Sequence, residues 1–168
     1  MRKSVNLGIT DLLELSQAIL EKGNSIRFQA KGWSMRPFIQ DGDFIIVSPV
    51  QNSSIKKGDV VFYSTDENKA IVHRIIKKYK NNGTTTFLIK GDASFGLPER
   101  VDIRNILGKV TAIERKGWKK RLDTKFYRVI GLLFAGISPF SRWTYLIGSR
   151  VKHSGRRLLG FRQISIPQ

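Results

Sequence analysis

Apolar residues recur at helical spacing over residues 10–22 (TDLLELSQAILEK), where Leu12, Leu13, Leu15, Ile19 and Leu20 fall mostly on one side. Thr10 or Asp11 can cap this helix and Gly23 can stop it. The period then drops to two. Ile26, Phe28 and Ala30 alternate along Ser25–Ala30, and short apolar or β-branched runs follow at Phe44–Val47, Asp59–Tyr63, Ala70–Ile76, Thr85–Lys90 and Leu107–Ile113. Clusters of Gly, Asp, Asn and Pro separate the runs, and Asn81-Asn82-Gly83 is a hairpin-type turn. Six short strands of this kind predict a mainly β, mostly antiparallel domain, barrel-like or folded from ribbons. Beyond it, Leu122–Ile137 and Trp143–Leu159 each read as a helix, with Ser138-Pro139 between them.

Charge divides the chain in a second way. Of the net +17, residues 1–114 hold 17 Lys/Arg against 12 Asp/Glu, and residues 115–168 hold 13 Lys/Arg against one acid, Asp123. The expected organisation is an N-terminal helix (1–24), a near-balanced β domain (25–114) and a basic, partly apolar helical extension (115–168). In the extension Trp143, Tyr145, Leu146, Ile147 and Val151 interleave with Arg142, Arg150, Lys152, Arg156 and Arg157, the composition of a basic amphipathic helix. Residues 122–161 leave two readings evenly open, contact with an anionic membrane surface or packing on the β domain with the charges in solvent, and nucleic acid is not expected. One N-terminal helix is too little for a helix-turn-helix reader, and the aromatic residues suit a lipid interface.

Composition narrows the chemistry. The 168 residues include no cysteine, which removes disulfides, cysteine nucleophiles and thiolate metal sites. With two histidines, His73 and His153, no polyhistidine metal centre is expected, and no cofactor is needed. The longest uncharged stretch of the extension, Val129–Ser141, has 13 residues, short of the roughly 20 a membrane span needs. The N-terminus lacks the apolar run and cleavage site of a signal peptide. A cytoplasmic or peripherally membrane-associated protein is expected.

Three short segments carry candidate chemistry. Ser34 follows a glycine-led bend in Gly32-Trp33-Ser34-Met35-Arg36-Pro37, which can hold a hydroxyl outward beside backbone N–H groups. Taken alone, the hexapeptide reads best as an ordinary turn. His73 shares a strand face with Ile71 and Ile75, where partial burial keeps an imidazole neutral and able to accept a proton. A lone histidine so placed is more often a satisfied structural residue. His153, in the basic extension, reads as a surface residue. Lys90-Gly91-Asp92 is a turn after a strand, and Asp92 could orient the histidine or prop up the site. Glu99 and Asp102 are rival acids downstream.

Together these segments resemble the signal peptidase I and LexA-like superfamily of serine peptidases (the S24/S26 group). Gly32-Trp33-Ser34-Met35-Arg36-Pro37 is similar to its nucleophile box. Asp41-Gly42-Asp43-Phe44-Ile45-Ile46-Val47 and Lys57-Gly58-Asp59-Val60-Val61-Phe62 are similar to the two Gly-Asp strands that follow. Val72-His73-Arg74-Ile75 is similar to the general-base box, and Lys90-Gly91-Asp92 and Leu107-Gly108-Lys109-Val110 to the closing boxes. Six boxes in order cover nearly half the chain, a far more specific signal than any one of them. Most of the group uses a lysine base. Val-His-Arg-Ile instead resembles the archaeal and endoplasmic-reticulum signal peptidases, which use histidine.

The resemblance implies Ser34 as nucleophile, His73 as general base, Asp92 as the supporting acid and the backbone N–H of Ser34 or Met35 as oxyanion donor. It implies no metal ligand. The family's usual Asn and second Asp are missing after Asp92, where Ala93 follows, and Asp102 is the weaker candidate for the histidine's partner. The implied activity is a serine endopeptidase cutting a leader or precursor peptide. The alternatives are a LexA-like self-cleaving regulator and a non-catalytic basic membrane- or nucleic-acid-binding module. Against self-cleavage, the only Ala-Gly bond is Ala135-Gly136, downstream of Ser34, and the first 24 residues are too few for a DNA-binding domain.

Overall fold

The computed structural model describes residues 9–51, 54–81 and 83–137. The expected helix at Trp143–Leu159, and His153 with it, lie outside the described residues.

Helix α1 spans Ile9–Glu21, followed by β1 (Ile26–Gln29), β2 (Phe44–Ser48), β3 (Val60–Ser64), β4 (Ala70–Asn81), β5 (Thr84–Lys90), β6 (Glu99–Asp102), a 3-10 turn (Ile103–Asn105), β7 (Ile106–Arg115), β8 (Trp118–Arg121) and α2 (Lys125–Ile137). All strands join one curled sheet in the order β1-β2-β7-β3-β4-β5-β6, with β8 paired to β7, and the pairings are antiparallel. The mainly β half-barrel with a helix at each end of the described chain is the architecture the periodicity predicts.

Several details differ from expectation. Thr10 and Asp11 sit inside the first turn of α1, which starts at Ile9. Leu15 points outward, while Leu13, Ser16 and Leu20 face the sheet. Gly23 does end the helix, at φ +81°, its N–H bonded to the Leu20 carbonyl. Two strands escaped the alternation test, for a shared reason. In β6 only Val101 is buried, and all four residues of β8 (WKKR) are exposed. Strands at a sheet's margin need no second apolar face. Lys116 and Gly117, both at positive φ, turn the chain from β7 into β8, so the sheet runs on past residue 114 and α2 begins at Lys125.

β3 explains why the sheet has two cores. Its residues Val60 to Tyr63 are all buried, and alternation sends them to opposite faces. Val60 and Phe62 join α1, Met35, Ile39, Ile45, Val47, Val110 and Ile113 in one cluster. Val61 and Tyr63 join Ile55, Ile75, Phe87, Ile89, Val101 and Ile106 in the other. β4 lies beside β3 with Val61 opposite His73 and Val60 opposite Arg74. Consecutive residues of β4 therefore deliver an imidazole to one face and a guanidinium to the other.

Helix α2 packs its Gly131 against Gly58. A β-carbon at either position would come within 2.6–2.9 Å of the other's backbone. Ala135 is buried beside them, and Phe134 and Tyr127 meet Phe38 edge-on at 6.0 and 6.1 Å between ring centres. Half of the even choice between a packed and a lipid-facing extension is thereby answered for residues 125–137: one side of α2 is part of the folded domain.

Candidate active site

Ser34 rides on the loop between β1 and β2, and polar bonds close that loop at its base. The Ala30 N–H donates to the Asp43 carbonyl at 2.7 Å, and the Gly42 N–H to the Ala30 carbonyl at 2.9 Å. Gly32, at φ +100°, donates its N–H to Asp41 Oδ1 at 2.8 Å. The Asp43 carboxylate receives Arg115 Nε and Nη2 at 2.8 and 2.7 Å and the Gln40 N–H at 2.7 Å. Burial pushes the Asp43 carboxyl up, but Arg115 and the Gln40 N–H outweigh it and hold it below the usual carboxylate range. Met35 and Ile39 anchor the loop's apolar side in the first core. Ser34 is left exposed at the tip, as the glycine-led bend predicts.

His73 comes to Ser34 from β4. Its Nε2 lies 3.1 Å from Ser34 Oγ, within hydrogen-bond reach. The ring is half-buried, and burial pushes its pKa below the ordinary imidazole value, with Glu99 acting in the other direction. A neutral imidazole facing a hydroxyl is the protonation state a general base requires.

The turn after β5 closes the third side. The Ala93 N–H donates to the Ser34 carbonyl at 2.7 Å, and the Ser94 N–H to the Gly91 carbonyl at 3.1 Å. Gly91 permits the approach: a β-carbon there would stand 2.6 Å from the Ser34 carbonyl oxygen and 2.9 Å from His73 Nε2. Among the described residues, the N–H groups of Ser34 and Met35 donate to no protein acceptor.

Neither Asp92 nor Asp102 hydrogen-bonds to His73. Asp92 faces Arg74, which grips it through Nε and Nη2 at 2.7 Å each, and neither side chain is more than 2% exposed. Burial raises the Asp92 pKa, and Arg74 only partly offsets it. Asp102 caps the 3-10 turn, accepting from the Arg104 N–H at 2.9 Å and Nε at 3.0 Å, an arrangement that lowers its pKa. On the far side of the His73 ring stands Tyr63 instead, its hydroxyl 3.3 Å from Nδ1 and donating to Glu99 Oε2 at 2.9 Å. No cluster of metal-binding side chains occurs among the described residues.

The family model for peptidase S24-like proteins matches residues 4–111, a span that holds Ser34, His73, Asp92 and Glu99. The chain belongs to the peptidase S24-like family. Membership points to serine-type peptidase chemistry or LexA-like self-cleavage. No curated protein matches the sequence significantly.

Within this S24-like chain, three contributors to the site were not singled out from the sequence. In the sequence Arg74 is one polar residue in a β-branched run, with nothing local to mark it. Gly91 reads in the sequence as a turn residue. Tyr63 ends an apolar strand and looks like core. Its one available signal is alternation with Val61, and that becomes informative only once Val61 is known to pair with His73.

Proposed function

We propose that this S24-like protein is a serine endopeptidase of signal-peptidase type, cutting a leader or precursor peptide. The contact of 3.1 Å between Ser34 Oγ and His73 Nε2 is the observation that carries this reading. His73 takes the Ser34 proton as the oxygen attacks the peptide carbonyl. The N–H groups of Ser34 and Met35 receive the oxyanion. His73 then returns the proton to the leaving amine, and water hydrolyses the acyl-enzyme by the same route. Trp33, Phe95 and Leu97, on the two segments that hold Ser34, are 62–71% exposed and offer apolar surface to a peptide lying extended along the site. Small side chains just before the cut are the expected preference. Incubation with candidate leader peptides, followed by mass spectrometry, should give a discrete cut that Ser34→Ala abolishes; equal cleavage by both proteins would sink the proposal.

The alternative of self-cleavage at Ala135-Gly136 has less support, because that bond lies inside α2 with Ala135 buried, and a scissile peptide must be extended.

For the extension we propose contact with an anionic lipid surface. The side of α2 away from Gly58 exposes Phe126, Val129, Leu132 and Leu133, and residues 115–168 carry a net +12. No helix among the described residues is long and apolar enough to cross a membrane, so the contact is peripheral in kind for them. Flotation with vesicles containing phosphatidylserine, and not with purely zwitterionic ones, is the expected result. Equal flotation with both, or with neither, would count against it.

A further inference from the structure

We propose that Tyr63 and Glu99 are positioning residues that hold His73 in the one tautomer able to deprotonate Ser34. The inference rests on the Ser34–His73 reading above and concerns what lies behind the imidazole.

A neutral imidazole has one N–H and one lone pair, and only the form with its proton on Nδ1 presents a lone pair to Ser34. Which form prevails depends on the group facing Nδ1. That group is the Tyr63 hydroxyl, with a single proton and two possible acceptors. The Glu99 carboxylate stands 2.9 Å away, and His73 Nδ1 3.3 Å away. A bond to an ionised acceptor is shorter and about twice as strong as a neutral one, so Glu99 takes the proton. Tyr63 keeps that proton. The side chain is fully buried, and burial together with Glu99 pushes its pKa far above the usual tyrosine value.

With its proton committed to Glu99, the Tyr63 oxygen offers only lone pairs to the ring. Nδ1 must then be the donor, and Nε2 is left bare toward Ser34 Oγ. The order is Glu99 carboxylate, Tyr63 hydroxyl, His73, Ser34, each O–H or N–H donating toward the acid. When His73 picks up the Ser34 proton, the same chain faces the new cation with an oxygen lone pair and, beyond it, a negative charge. No proton leaves Tyr63 in this scheme.

The groups facing His73 come from three elements: Ser34 from its loop, Tyr63 from β3 and Glu99 from the start of β6. Arg74 and Asp92 neutralise each other on the opposite face of β4. Among the described residues, Glu99 is therefore the acid whose charge acts on the ring.

The test needs no substrate. Nitrogen-15 NMR of full-length protein labelled at histidine, with His153→Gln used for assignment, reads the His73 tautomer directly. The native protein should carry the neutral proton on Nδ1. Tyr63→Phe keeps the ring and its packing, and should shift population toward the Nε2 form. Glu99→Gln, at an exposed position, serves even if Tyr63→Phe folds poorly. It should release the Tyr63 proton toward Nδ1, move the population the same way, and lower the His73 pKa. Ser34 labelling by a fluorophosphonate should slow in either variant on the order of 10–100-fold, part of the ~10²–10⁴ a general base contributes. A native His73 protonated at Nε2, or an unchanged tautomer in both variants, would overturn the proposal. Failure of every peptide to be cleaved would count against the endopeptidase reading and leave the tautomer result standing.

Discussion

Asp92 and Arg74 form a two-pronged ion pair, both contacts 2.7 Å, sealed between the sheet and α2. The acid of the closing Gly-Asp box therefore neutralises the residue next to the histidine, not the histidine. Arg74 also donates Nη1 to the Gly58 carbonyl at 2.8 Å, and its guanidinium lies 4.5 Å from the centre of the Phe38 ring. One buried cation thus ties together β4, the Gly91–Ser94 turn, the Gly58 turn under α2 and the loop bearing Ser34.

Removing one partner should therefore damage the fold before it damages the chemistry. Arg74→Met leaves a buried carboxylate unpaired, and Asp92→Leu leaves a buried guanidinium. Each should cost about 3–5 kcal/mol in urea unfolding, the range for breaking buried pairs, with the double variant recovering part of the loss. Additive losses in the double variant would mean the two residues act independently.

Activity should have an acid limb set by His73. The neutral imidazole is the base, and burial holds its pKa under the ordinary value, so the half-point of kcat/KM should fall below about 6.5. The same shift has a stability counterpart. As pH falls through the ordinary imidazole value the unfolded chain binds a proton first, so stability declines from there down through the folded-state pKa. Urea midpoints measured against pH should show that decline in the native protein, and a shallower one in His73→Gln.

Gly91→Ala should separate catalysis from folding. The added methyl meets the Ser34 carbonyl oxygen at 2.6 Å and His73 Nε2 at 2.9 Å, so the turn must retreat from the dyad. Displacements of this size cost on the order of 10²-fold in rate. Cleavage of a leader peptide should drop accordingly, with a modest change in thermal midpoint. Full activity in Gly91→Ala would show that the turn does not set the dyad's geometry.

Gly131→Val should lift α2 from the sheet, because the new side chain would collide with the Gly58 carbonyl, 2.6 Å from the first added carbon. Faster amide exchange confined to residues 125–137 is the expected signature, while the β-sheet amides stay protected. Uniform loss of protection would instead make α2 integral to the whole fold.

The legible parts of this protein are those whose signal is local. Alternation in β1, the apolar run of β2, the β-branched run in β4 and the Gly23 stop are each written in a few consecutive residues, and the structure bears them out. β8 was illegible because four exposed residues carry no alternation, and its place is decided by pairing with β7.

For the site, six boxes in their family order marked Ser34 and His73; alone, each reads better as a turn serine and a structural histidine. That they meet across 39 positions was decided by the loop closure at Asp43 and by the pairing of β3 with β4. Which acid serves which cation was likewise settled in three dimensions. Asp43, Asp59 and Asp92 look alike in their Gly-Asp settings, yet they pair with Arg115, Lys109 and Arg74, partners 18 to 72 positions away. A carboxylate's role depends on the charge and the solvent around it, and long-range strand pairing is what assigns both.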